Sequence, residues 1–117
     1  MEPITGPSVA VRALGALAQE HRLAAFRLLV QAGPQGIAAG TIAETLGLAA
    51  SSLSFHLAQL VNAGLVTQRR EGRSIIYAAD FAAMTALMDY LAENCCGGEP
   101  CSATTPRHAR ACVGPVG

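Results

Sequence analysis

The chain has 117 residues, a length that fits one domain. It is 51% hydrophobic but only 4% aromatic, and its commonest residue is alanine, which has the highest helix propensity. All eight basic residues are arginine, and eight acidic residues bring the net charge to zero. This composition predicts a small helical protein. It excludes a broadly basic nucleic-acid-binding surface and a polybasic membrane anchor, but not a local basic patch.

No stretch approaches the length of about 20 apolar residues that spans a bilayer. Residues 1–7 contain an acid and two prolines where a secretory signal would carry basic residues and an apolar run. We therefore expect a cytoplasmic protein without a membrane partner.

Four helices are predicted in the first half of the chain, from apolar residues at helical spacing and from the Gly and Pro residues that separate them. Their predicted bounds are residues 9–18, 21–32, 41–46 and 51–63. The third begins with Thr41 and Glu44, which form a capping-box pattern. Gly47 and Gly64 are the expected stops of the third and fourth helices.

The spacing of apolar residues then changes from helical to alternating. Residues 65–70 and 74–78 flank a short turn that contains Gly72, and they predict a β-hairpin. Asp80 is a favoured N-cap for a last helix over residues 81–94. That helix carries an apolar stripe of Met84, Leu87, Met88 and Leu91. We expect one domain over residues 1–94 and a cysteine-containing segment with a flexible tail over residues 95–117.

Two helices joined by a short turn and followed by a hairpin are typical of a winged helix-turn-helix, in which the second helix enters the major groove of DNA. On a helical wheel, residues 51–63 separate into a core face and an outer face. The core face has Leu53, Leu57, Leu60 and Val61, and the outer face has Ser51, Ser52, Phe55, Ala58, Gln59 and Asn62. Serine hydroxyls and a glutamine amide suit phosphates and base edges, so the outer face is a candidate DNA surface.

Two residues of this helix allow more than one interpretation. Phe55 either contacts a thymine methyl group or packs against the wing or a dimer mate. His56 lies between the two faces, where a structural histidine and a phosphate contact are both possible. In the hairpin, Arg69, Arg70 and Arg73 favour neutralisation of DNA phosphates over an ordinary solvated turn.

Several motifs resemble those of the ArsR/SmtB-type metal-sensing repressors. Residues 17–29 (LAQEHRLAAFRLL) resemble the second helix of that family, and residues 42–48 (IAETLGL) with 54–60 (SFHLAQL) resemble its helix-turn-helix. Residues 64–66 and 70–73, with Tyr77, resemble its wing, so the match covers residues 9–94.

The resemblance implies a mainly α fold with a small β-hairpin, a winged helix-turn-helix that forms a homodimer through its first and last helices. It also implies binding to double-stranded operator DNA and release by an inducer. The DNA-facing residues that it implies are Ser51, Ser52, Ser54, His56 and Gln59, with Arg70 and Arg73 on the wing.

The inducer site departs from the best-known arsenic sensors of this family, which carry Cys-Val-Cys at the start of the first helix of the helix-turn-helix. Residues 37–42 (IAAGTI) hold no thiol at that place. Instead Cys95, Cys96 and Cys101 lie within seven residues, and the glycines between them permit a reversal of the chain. Three thiolates suit trivalent arsenic or antimony. The C-C-x4-C arrangement also resembles a known relocation of the arsenic site within the family.

Other roles for these thiols remain open. Zinc, cadmium or lead would recruit a fourth ligand such as Cys112 or His108. A redox switch would close a disulfide with Cys101 or Cys112, and the thiols could also have no function. An enzyme is disfavoured because the chain has no Cys-x-x-Cys motif. The sequence thus predicts a non-enzymatic repressor of an arsenic-resistance operon with trivalent arsenic or antimony as inducer. The alternative is a zinc-, cadmium-, lead- or redox-responsive repressor of the same fold.

Overall fold

The computed structural model describes residues 6–98, so Cys101, His108 and Cys112 lie outside the described residues. Within that range the chain forms five α-helices, a three-stranded antiparallel sheet and one 3-10 turn, which confirms the predicted fold class. In chain order they are α1 (Pro7–Leu17), α2 (Glu20–Ala32), β1 (Ile37–Ala38), α3 (Ala39–Leu46), α4 (Ala50–Asn62), β2 (Val66–Glu71), β3 (Ser74–Ala79), α5 (Phe81–Ala92) and the turn Cys95–Gly98.

The helix-turn-helix consists of α3 and α4, packed on α2 through a core of aliphatic side chains. Gly47 ends α3 in the left-handed conformation, with φ of 68°, and this lets the chain turn sharply into α4. The predicted core face of α4 is confirmed, except that Val61 is only half-buried. The fully buried large side chains are Leu29, Ile42, Leu53, Leu57, Leu60, Leu65 and Val66. This core fixes the direction in which α4 presents its other face.

The hairpin of β2 and β3 is the predicted wing, and β1 adds a third strand that the sequence did not predict. The strand order is β1-β3-β2, and Ile37 lies opposite Tyr77. Gly36 precedes β1 with φ of 79°, and a Cβ atom there would lie 2.5 Å from the Tyr77 carbonyl oxygen. Only glycine accommodates both the left-handed backbone and this close approach.

The predicted starts of α1 and α3 and the predicted end of α5 are each wrong by two residues. α1 begins at Pro7, where proline at the first helical position starts the helix earlier than residue 9. α3 begins at Ala39, directly after β1, so Thr41 lies inside the helix and is not its cap; its carbonyl accepts a hydrogen bond from the Thr45 hydroxyl at 2.8 Å. α5 ends at Ala92, two residues before the predicted end. Asn94 follows with φ of 58°, a left-handed conformation that cannot continue a helix.

The first and last helices each leave an apolar face uncovered. α1 packs on the domain through Ala10, Ala13 and Ala16, which leaves Val11 and Leu14 exposed. The N-cap of α5 is Asp80, whose carboxylate accepts a hydrogen bond from the Ala83 amide at 3.0 Å. The helix buries Ala83 and Leu87 and exposes Met88 and Leu91. Among residues 6–98, no helix combines the length and apolarity needed to cross a membrane.

Candidate nucleic-acid interface

The outward face of α4 begins with three exposed serines, Ser51, Ser52 and Ser54. The N-cap residue, Ala49, provides no side-chain hydrogen bond to the first turn. Within residues 6–98 the serine hydroxyls have no hydrogen-bond partner either. The first turn of α4 therefore presents hydroxyls and backbone N–H groups together, an arrangement that favours phosphate oxygens.

Phe55 lies on the same face and is 58% exposed. Its ring meets the ring of His56 edge to face, with the centroids 5.7 Å apart. The side chain is thus not covered by the wing of its own chain. That Phe55 contacts a thymine methyl group and that it packs against a dimer mate remain two alternative predictions.

His56 points toward α2 and is half-buried. Arg22 donates a hydrogen bond from Nη1 to His56 Nδ1 at 3.4 Å, and the ring of His21 lies 5.6 Å away. Desolvation lowers the pKa of His56 below its ordinary value of 6.5, and the positive charges of Arg22 and His21 lower it further. His56 therefore joins α4 to α2 as a neutral acceptor, and its contact with DNA stays a prediction.

Arg22 links three helices, a role that sequence reasoning missed. Its Nε atom donates to the Ala16 carbonyl in α1 at 2.7 Å, while Nη1 reaches His56 in α4. Its own backbone amide is capped by the Gln19 side chain at 2.9 Å. Arg22 lies in the stretch that resembles the second helix of the ArsR/SmtB family, which could have drawn attention to it. Its contact with His56, 34 residues away, cannot be predicted from local sequence.

The wing arginines divide into two groups. Arg70 and Arg73 are exposed, and neither forms an ion pair with another described residue. Arg69 is engaged: its Nε lies 2.8 Å from Glu71 Oε2, and its Nη2 donates to the Gln35 carbonyl at 2.9 Å. The wing thus presents two available cations at its tip, while the third ties β2 to the turn between α2 and β1.

Two of the three predicted metal ligands lie in the described range, directly after α5. Cys95 is half-buried, Cys96 is exposed, and their Sγ atoms are 3.7 Å apart. Cys96 has φ of 58°, a left-handed conformation that is unusual for a side chain other than glycine. Within residues 6–98 no three His, Cys, Asp or Glu side chains are placed to hold a metal ion together, and the predicted third ligand, Cys101, lies outside that range.

Comparison with known proteins agrees with this arrangement. Residues 17–69, from the end of α1 into β2, match a family described as "Helix-turn-helix domain". The HTH-type transcriptional regulator YgaV of Escherichia coli (strain K12) is 31% identical over 71 residues, which are 61% of this chain and 72% of that protein.

Solved structures extend the match beyond the helix-turn-helix. HlyU from Vibrio cholerae N16961 is 30% identical, with a TM-score of 0.59, over 76% of this chain and 94% of that chain. The homodimeric winged helix-turn-helix DNA-binding domain of a possible ArsR-family transcriptional regulator from Mycobacterium bovis is 31% identical, with a TM-score of 0.59, over 80% of this chain and 87% of that chain.

The family match runs from the end of α1 into β2, and the matched proteins include transcriptional regulators. The chain therefore belongs to the ArsR family of DNA-binding winged helix-turn-helix transcriptional regulators.

Proposed function

We propose that the protein represses an arsenic-resistance operon and leaves its operator when trivalent arsenic or antimony binds Cys95, Cys96 and Cys101. One observation carries the inducer part of this proposal: the paired thiols directly after α5, at 3.7 Å from each other. The DNA-binding part rests on the face of α4 and the tip of the wing.

The DNA surface that we propose combines positioning groups and a reader of bases. Arg70 and Arg73 neutralise phosphates, and Ser51, Ser52 and Ser54 hydrogen-bond to the backbone or to base edges. Gln59 and Phe55 lie farther along the helix, where an amide reads adenine and an apolar ring contacts a thymine methyl group. His56 holds α4 against α2 through its contact with Arg22, and a contact of His56 with DNA is also part of this proposal.

A homodimer fits the exposed apolar side chains of the terminal helices. Val11 is 67% exposed and Leu91 is 59% exposed, and Leu14 and Met88 are also exposed. Apolar faces on two helices that touch each other are well suited to pairing with the same helices of a second copy. The similar domain from Mycobacterium bovis is homodimeric. Pairing would place two α4 helices on the two halves of one operator.

The geometry of the thiol pair fits a soft ion. Two sulfurs of a tetrahedral thiolate site with metal–sulfur bonds of about 2.3 Å lie about 3.8 Å apart. The observed Sγ–Sγ distance of 3.7 Å is close to this value, so the two thiols lie near enough to share one ion. Cys101, five residues after Cys96, is the proposed third ligand. Three sulfurs complete a trivalent arsenic site, whereas zinc requires a fourth ligand.

The thiol pair follows α5 after only two residues, so a constraint on the thiols acts on a helix of the proposed dimer interface. A change in the dimer alters the separation of the two α4 helices and weakens their fit to DNA. Allosteric coupling of about 1–3 kcal/mol corresponds to roughly 5-fold to 150-fold weaker DNA binding.

The proposal is tested by counting ligands. The reduced full-length protein is titrated with arsenite, antimonite, methylarsenite and zinc, and the remaining reactive thiols are counted. We expect one arsenite per chain to protect three thiols, and Cys95→Ser, Cys96→Ser and Cys101→Ser each to abolish this. Cys112→Ser is the matched control and should bind as the wild type does. Protection of four thiols by zinc but not arsenite, or protection of none, would contradict the proposal.

A further inference from the structure

A second polar site is formed by residues of α1, α2 and α4. It is an open pocket of about 250 Å³ whose polar lining comes from Arg12, Arg22, Gln59 and Asn62. The remaining wall consists of small residues of α1 and α4, which keep the space open. Neither Cys95 nor Cys96, the predicted inducer ligands within the described residues, lines it.

The charge of this pocket is positive and uncompensated. Arg12 and Arg22 line it, and no acidic residue among residues 6–98 does. Within residues 6–98, neither Arg12 nor Arg22 forms an ion pair, because the ion pair of this part of the chain joins Arg69 and Glu71. Two arginines that line one pocket, neither of them in an ion pair within the described residues, favour an anionic ligand.

The hydrogen-bond donors specify the ligand further. Arg22 is fixed in position because its Nε donates to the Ala16 carbonyl and its Nη1 donates to His56, and its Nη2 group has no partner in the described part of the chain. The amides of Gln59 and Asn62 add donors from α4. Guanidinium and amide donors around one pocket suit a tetrahedral oxyanion. At about 30 Å³ per water molecule, the pocket has room for a phosphate group together with part of what it is attached to.

We infer that this pocket, the Arg12–Arg22 pocket, binds a phosphate group. Gln59 and Asn62 belong to the face of α4 that is predicted to face DNA, so a backbone phosphate beside the groove is one source of that group. A free phosphorylated small molecule has the same chemistry and is the other source. The inference uses the DNA-binding role of the family but does not depend on arsenic as the inducer.

The experiment separates the two sources. Arg12 is exposed, so Arg12→Gln should fold normally, and Arg27→Gln removes an exposed arginine of α2 that does not line the pocket. In the first arm, the affinity of full-length protein for a bound promoter fragment is measured against salt concentration. In the second arm, the melting temperature is measured without DNA in inorganic phosphate, with chloride at equal ionic strength as reference.

If the phosphate belongs to DNA, Arg12→Gln lowers the slope of log affinity against log salt by about 0.9 per chain, whereas Arg27→Gln leaves it unchanged. If it belongs to a free ligand, inorganic phosphate raises the melting temperature of the wild type and of Arg27→Gln but not of Arg12→Gln. Either result supports a phosphate site. Equal behaviour of the two variants in both arms would overturn it.

Discussion

Arg22 Nη1 lies 3.4 Å from His56 Nδ1, and this contact joins the start of α2 to the middle of α4, the helix predicted to face DNA. The guanidinium is itself held by the Ala16 carbonyl at 2.7 Å. The position of α4 therefore depends on this pair of hydrogen bonds as well as on its leucine core. Because His56 is titratable, we expect the contact to depend on pH.

The first prediction concerns the pH dependence of stability. Because the pKa of His56 is lowered in the folded protein, the unfolded chain binds this proton more readily. The contribution of neutral His56 to stability is therefore fully present above the ordinary value of 6.5 and is lost as pH falls through the lowered pKa. Urea unfolding of wild type and His56→Gln between pH 8 and pH 5 should show the larger acid loss in the wild type. An NMR titration that placed the His56 pKa at or above 6.5 would contradict this.

The second prediction separates the wing arginines. Arg70→Ala should lower the slope of log DNA affinity against log salt concentration by about 0.9, because a phosphate contact is lost. Arg69→Ala should leave that slope unchanged, since this side chain binds Glu71 and the Gln35 carbonyl. The Arg69 ion pair is about half exposed, so its loss should lower the free energy of unfolding by no more than about 1 kcal/mol. An equal fall in slope for both variants would show that Arg69 also binds phosphate, and an unchanged slope for Arg70→Ala would contradict its phosphate contact.

The third prediction concerns the approach of β1 to the wing. Gly36→Ala should destabilise the protein by about 2–4 kcal/mol, because a Cβ atom meets the Tyr77 carbonyl and the backbone has positive φ. Gly40→Ala is the matched control: it lies in α3 with open space around it and should stabilise the helix by about 0.5–1 kcal/mol. Urea denaturation measures both. A Gly36→Ala variant as stable as the wild type would exclude this close approach in solution.

The fourth prediction concerns Phe55. Its ring is 58% exposed, so Phe55→Ala should change the free energy of unfolding by less than about 0.5 kcal/mol. If the ring contacts a thymine methyl group, the variant should lose about 1–3 kcal/mol of discrimination between the operator and a fragment altered at that base pair. Competition binding with the two fragments measures this. Unchanged discrimination together with a weaker dimer would assign Phe55 to the interface between subunits.

Local patterns were sufficient to predict most of this fold. The leucines of α4 repeat at helical spacing, and the runs beside Gly72 alternate, so both elements follow from short-range sequence. β1 was missed because two residues give no pattern of their own and depend on β3, about 40 residues away. For the same reason the sequence grouped Arg69 with the phosphate ligands, since its partner Gln35 is 34 residues distant.

The candidate sites also divide into those that local sequence predicts and those that depend on tertiary packing. The exposed serines of α4 and the paired thiols after α5 could be predicted from spacing alone. The Arg12–Arg22 pocket could not, because it forms only where three helices meet. Arg22 and His56 illustrate the reason: each is ordinary in its own helix, and their contact depends on packing that joins residues 34 positions apart.

The most direct test of the proposed function is the release of DNA by arsenite. A labelled promoter fragment bound by full-length reduced protein is titrated with arsenite while fluorescence anisotropy reports the bound fraction. We predict that arsenite releases the wild type and Cys112→Ser, with affinity reduced by about 5-fold to 150-fold. Cys95→Ser, Cys96→Ser and Cys101→Ser should stay bound at the same dose. Release of the three variants at the wild-type dose, or a wild type that stays bound, would contradict a repressor controlled by these thiols.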